Sequence, residues 1–83
     1  MSGQTWWWLS FTDPEREPGT QFLGVAVVRA AGPAGAIGMA HLLGCNPGGE
    51  VSVVGPIPDD HVPPPEYRER LLDRPLAEQA AEF

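Results

Sequence analysis

Eighty-three residues make one domain with a small core and leave no room for a second. Five arginines and no lysine stand against eleven acidic residues, a formal net charge of −6 that argues against a nucleic-acid backbone, whose binding needs clustered cations. The sole cysteine, Cys45, has no internal disulfide partner, which sets the chain apart from the disulfide-stapled secreted class and makes reducing cytoplasm the expected location. The apolar run Trp6 to Leu9 is too short to span a bilayer and lacks a basic leader, so neither a signal peptide nor a membrane partner is expected.

In chain order, Thr5 to Phe11 reads as a first strand, stopped by the turn-starting pair Asp13-Pro14. Its alternation puts Trp6, Trp8 and Ser10 on one face and Trp7, Leu9 and Phe11 on the other. Glu15 to Gly19 is charged and rich in breakers and forms an exposed hairpin loop. Gln21 to Ala30 is strand two, apolar on both sides, as expected of a central strand or of one whose second face a partner covers. Gly32-Pro33 starts a helix that Gly44 stops, with Ala36, Met39, Ala40 and Leu43 on the face toward the sheet. Its reverse face carries Gly35, Gly38, His41 and Leu42, and two glycines there raise either a close approach by another group or simple compositional drift.

Glu50 to Ile57 is strand three, and the proline-rich run Pro58 to Pro65 crosses the surface as extended chain. Glu66 to Leu72 is expected to be a short helix, and Asp73 to cap a last one from Leu76 to Ala81. The fold class is therefore α+β over residues 1–83. The order is β-hairpin, helix, third strand (ββαβ), then short C-terminal helices, with the first two strands antiparallel and the helix on one sheet face.

Two features carry surplus recognition capacity. Gly44-Cys45-Asn46-Pro47-Gly48-Gly49-Glu50-Val51 holds a Pro-Gly pair suited to a type II turn, and the following Gly49 leaves backbone amides unshielded beside the charged Glu50. The run follows a helix instead of preceding one, and it lacks the phosphate-loop and dinucleotide patterns, so it reads either as an anion or ligand contact or as a plain connector. Trp6-Trp7-Trp8 is the second feature. One face of the strand must show a large aromatic surface, suited to stacking on a base or to anchoring a subunit interface, the commoner use.

Catalytic and metal chemistry have little to draw on. His41 and His61 lie on either side of strand three without metal-ligand spacing, Cys45 has no adjacent base, and Asp59-Asp60-His61 sits in a proline-bound loop. No nucleophile-base constellation is present, so the chain reads as a non-enzyme with no cofactor and no metal.

Trp7-Trp8-Leu9-Ser10-Phe11, Phe22-Leu23-Gly24-Val25, Leu43 to Val51 and Arg70-Leu71-Leu72 together resemble a family of small uncharacterised proteins of bacteriophages and high-GC bacteria. The resemblance covers most of the chain and transfers no activity. It implies a phage inhibitor of bacterial defence, a class that includes small oligomers sequestering cyclic-nucleotide or ADP-ribose signals. Two functions follow as expectations. In the first, a homo-oligomer binds a nucleotide-like small molecule between subunits through Trp6 or Trp8, Asn46, Gly48, Gly49 and Glu50. The acidity of the chain then requires Arg16, Arg29, Arg68 or Arg70 in the pocket. In the second, the aromatic and acidic surface binds and inhibits a host protein.

Overall fold

The computed structural model describes residues 3–83. Strands β1 (Thr5–Thr12), β2 (Phe22–Ala30) and β3 (Glu50–Ile57) form an antiparallel sheet in the order β2-β1-β3. Helix α1 (Pro33–Leu42) lies between β2 and β3, and helix α2 (Arg74–Ala80) comes last, so the α+β class and the antiparallel hairpin stand. A single 3-10 turn at Asp59–His61 interrupts the proline-rich connector expected to be extended, and a second at Pro65–Tyr67 ends it.

The central strand is β1. Its aromatic run tolerates burial on both faces, and the alternation divides it as its period of two requires. Trp7, Leu9 and Phe11 are buried toward α1, while Trp6, Trp8 and Ser10 are half-buried on the opposite face. The Trp7 indole N–H donates to the Ala30 carbonyl at 3.0 Å, which gives the one polar atom of a buried ring its partner. Against this face α1 packs its buried Ala36 and Ala40, small enough to bring the helix close to Leu9, Val28 and Ala30. Leu43, expected on that face, falls just past the helix and is 42% exposed. Gly38, His41 and Leu42 face solvent.

Strand β2 is an edge strand in the ladder, so of its two readings, central strand or strand with a covered second face, the first does not hold. Both of its faces are nonetheless covered, and the second cover comes from the chain's own C-terminal segment. That segment is not the expected helix over Glu66 to Leu72. After one 3-10 turn Arg68 is extended and Glu69 has φ 60, and the chain then runs along the outer edge of β2. Val25 N–H donates to Leu72 O at 3.0 Å, Leu72 N–H donates to Val25 O at 2.7 Å, and Glu69 N–H donates to Val27 O at 2.8 Å. A helix in this stretch would leave those edge groups of β2 without strand-like partners, whereas the extended form pairs them.

Asp73 then caps α2 as its position suggests, its Oδ1 accepting from Leu76 N–H at 3.1 Å. Ala77 and Ala80 of α2 pack with Val25 and Leu72 in a second small core, with Trp8, Phe22 and Tyr67 at its margin. The sheet thus has α1 on one face and α2 on the other. The outer edge of β3 alone takes no backbone hydrogen bond from another element among the described residues.

Candidate functional site

The second layer is shorter than the sheet it covers. Helix α2 packs on β2, and the end of the helix stops short of β3, so Trp8 is overlaid on one side and open on the other. A groove of about 380 Å³ follows, with Trp8, Val54, Ile57, His61 and Pro63 along it and Phe83 beyond the end of α2 at its far wall. Its lining is dominated by apolar and aromatic carbon. Val54 is opposite Trp8 in the ladder and 60% exposed, and Phe83 is 49% exposed, so the groove carries aromatic and aliphatic surface that the fold leaves open. The Tyr67 and Phe83 rings lie 5.9 Å apart, and His61 Nδ1 is 3.4 Å from the Phe83 carbonyl oxygen, contacts that hold the far wall in place.

Two arginines stand over Trp6, outside the groove's lining but next to its residues Ile57 and Pro63. Trp6 is opposite Ile57 on one side of β1 and opposite Arg29 on the other. The guanidinium carbons of Arg29 and Arg68 lie 5.6 Å and 4.9 Å from the Trp6 ring centroid. Arg68 Nε donates to the carbonyl of Pro63, a groove residue, at 2.7 Å, which ties this guanidinium to the rim. Neither arginine has a carboxylate within 4.0 Å among the described residues, although acidic side chains outnumber basic ones by eleven to five. Arg16 instead pairs with Asp13 at 3.6 Å in the hairpin loop, past the end of β1 remote from Trp6, and Arg74 lies over the Phe22 ring.

The six residues singled out in the sequence divide into two groups. Trp6 and Trp8 share the groove face. Asn46, Gly48, Gly49 and Glu50 lie at the other end of the sheet, because Glu50 is opposite Thr12, four positions along β1 from Trp8, a separation of roughly 13 Å. Within one copy the loop and the tryptophans therefore do not meet.

Nor is the Gly48 amide unshielded. Gly48 N–H donates to Asn46 Oδ1 at 2.8 Å, closing an Asx turn that uses the side chain proposed for a ligand. Gly49, with φ 74, presses on the Thr12 carbonyl so closely that no side chain fits. The Asn-Pro-Gly-Gly sequence builds a tight connector between α1 and β3.

Sequence reasoning missed Val54 and Ile57, which the β1–β3 ladder sets opposite Trp8 and Trp6, and Pro63 and Phe83, which the C-terminal segment brings back over the sheet. The alternation Ser52, Val54 in a strand opposite Trp8 was the available signal. Cys45 is buried beneath α1, and burial pushes its thiol pKa up, away from the reactive thiolate. Among the described residues no group of three His, Cys, Asp or Glu side chains is placed to hold a metal ion, and no helix is long and apolar enough to cross a membrane. Comparison with protein-family models, curated proteins and solved structures returns no match.

Proposed function

We propose that this protein binds and sequesters, without cleaving it, a small nucleotide-like anion. It does so as a homo-oligomer of the kind that phages direct against bacterial defence signals. The ligand's ring lies in the groove against Trp8, and its phosphate meets Arg29 and Arg68 beside Trp6. The observation that supports this reading most is the pair of guanidiniums left without carboxylate partners over Trp6, two positions along β1 from the groove residue Trp8, in a chain with acid to spare. An unpaired guanidinium is suited to phosphate through its fork of N–H donors, and an aromatic wall is suited to a base.

Thermal unfolding in the presence of adenosine monophosphate, cyclic AMP, a cyclic dinucleotide and ADP-ribose tests the proposal. A ligand at a hundredfold excess over its dissociation constant stabilises the fold by about 2.7 kcal/mol. A shift with one or more of these compounds, reduced by added salt, is the expected result. No shift across the panel would set the reading aside in favour of a host-protein partner for the same apolar surface.

A further inference from the structure

The Glu50 to Val54 half of strand β3 has the features of an interface; the devices that protect an edge, Pro56 and the register shift, lie beyond it. Edge strands of monomers are blunted by charge, proline or a bulge, or covered by another element. Here the run Val51-Ser52-Val53-Val54-Gly55-Pro56-Ile57 contains no charged residue, and its outer edge takes no backbone hydrogen bond from any other described element. Val51 and Val53 are only half-buried on the α1 face, and Val54 stands 60% exposed on the groove face. The other edge of the same sheet, along β2, is closed by Glu69 and Leu72.

The ladder also indicates which strand this edge suits. Glu50 to Val54 runs in regular register against β1, and the shift falls beyond it, between the partners of Trp8 and Trp6. Ser52 is the centre of that regular stretch. We infer that a second copy of the chain pairs antiparallel with this edge about Ser52, making a six-stranded sheet and bringing Glu50 of each copy to the groove of the other.

The pairing is self-complementary. Ser52 meets Ser52 of the second copy, Val51 meets its Val53 in two symmetric apolar pairs, and Glu50 meets its Val54. Charge selects the direction. Parallel pairing would set the two Glu50 carboxylates side by side, whereas this antiparallel register separates them by four positions, roughly 13 Å and beyond the screening length of about 8 Å at physiological salt. Glu50, Ser52 and Val54 share the face of Trp8, since they are opposite Thr12, Ser10 and Trp8. Glu50 of the second copy therefore stands on the groove face beside Val54, where a carboxylate accepts hydrogen bonds from a base amine or sugar hydroxyl. This last role rests on the nucleotide-binding reading; the interface does not.

Sedimentation of the wild type, Ser52→Lys and Ser52→Cys tests the interface. Ser52 is exposed, so neither substitution disturbs the core. The wild type is expected as a dimer. Ser52→Lys, which sets two ammonium groups face to face, is expected at half the mass with an unchanged circular dichroism spectrum. In Ser52→Cys, opposed Cα atoms about 4.5–5.5 Å apart fall within disulfide range, so mild oxidation should link the two copies while buried Cys45 stays free. A wild-type monomer, a Ser52→Lys variant that remains dimeric, or a Ser52→Cys variant that does not cross-link would overturn the interface.

Titration of wild type and Glu50→Gln with the nucleotide that gives the largest thermal shift tests the carboxylate's role. Affinity is expected to fall about tenfold with the dimer intact. An unchanged affinity would overturn that role alone, and an intact dimer that binds no nucleotide would overturn the binding reading and leave the interface standing.

Discussion

Leu72 and Val25 exchange a pair of backbone hydrogen bonds, 2.7 Å and 3.0 Å long, that fasten the C-terminal segment to the edge of the sheet. Both side chains are buried in the same small core, so this bridge positions α2 and through it one wall of the groove.

Replacing Leu72 with Ala leaves the backbone bridge possible but removes a fully buried side chain beneath α2. A loss of about 2–5 kcal/mol is expected, together with the cavity such a truncation creates. Urea denaturation followed by tryptophan fluorescence measures it. A loss below 0.5 kcal/mol, about the change expected of a surface substitution, would mean that the segment is not part of the cooperative unit.

Asn46 acts within its own loop. Asn46→Ala takes the acceptor from the Gly48 N–H, an exposed hydrogen bond whose loss costs about 0.5–1.5 kcal/mol. Nucleotide affinity is expected to be unchanged, because the Asx turn lies away from the groove. Calorimetry on a folded Asn46→Ala variant checks this, and a tenfold loss of affinity would return the side chain to the binding site.

Much of the fold is legible because it depends on local pattern. The alternation of Trp6 to Phe11 assigns both faces of β1, Pro33 and Asp73 mark helix starts, and Ala36 and Ala40 mark the face of α1 that the sheet covers. The stretch Arg68 to Leu72 is different, since its helix-compatible composition yields to the unpaired edge of β2, a partner more than 40 positions earlier in the chain. The groove was hidden for the same reason. Trp8 could be named from sequence, but Val54 becomes its neighbour through the β1–β3 ladder, and Pro63 and Phe83 through the fold-back of the C-terminal segment. The glycine loop left two readings open in the sequence because residues that leave backbone open also let it close on itself, here onto Asn46 and Thr12.

Cys45 links stability to alkaline pH. Its folded pKa is raised, chiefly by burial and further by the charge of Glu69, with its backbone hydrogen bond opposing. The native state therefore holds the thiol proton to higher pH than the unfolded chain does. The resulting stability is fully present below the unfolded thiol's pKa and declines as pH rises through that value toward the folded one. Urea midpoints measured from neutral to alkaline pH should fall for the wild type and fall less for Cys45→Ala. Alkylation by iodoacetamide should likewise be slow until denaturant is added. Equal alkaline slopes in the two proteins, or rapid labelling of the native state, would contradict the buried thiol.

The central claim is that a nucleotide-like anion sits between the Trp8 groove and the arginines at Trp6. Isothermal titration of the wild type and of Arg29→Gln with ADP-ribose, cyclic AMP and a cyclic dinucleotide tests it most directly, because Arg29 is exposed and its replacement leaves the core intact. The account predicts binding of at least one compound. It also predicts an affinity about ten- to a hundredfold weaker in Arg29→Gln, the worth of one charged hydrogen bond at about 1.5–3 kcal/mol. Absence of heat with every compound, or binding that neither this substitution nor added salt weakens, would contradict it.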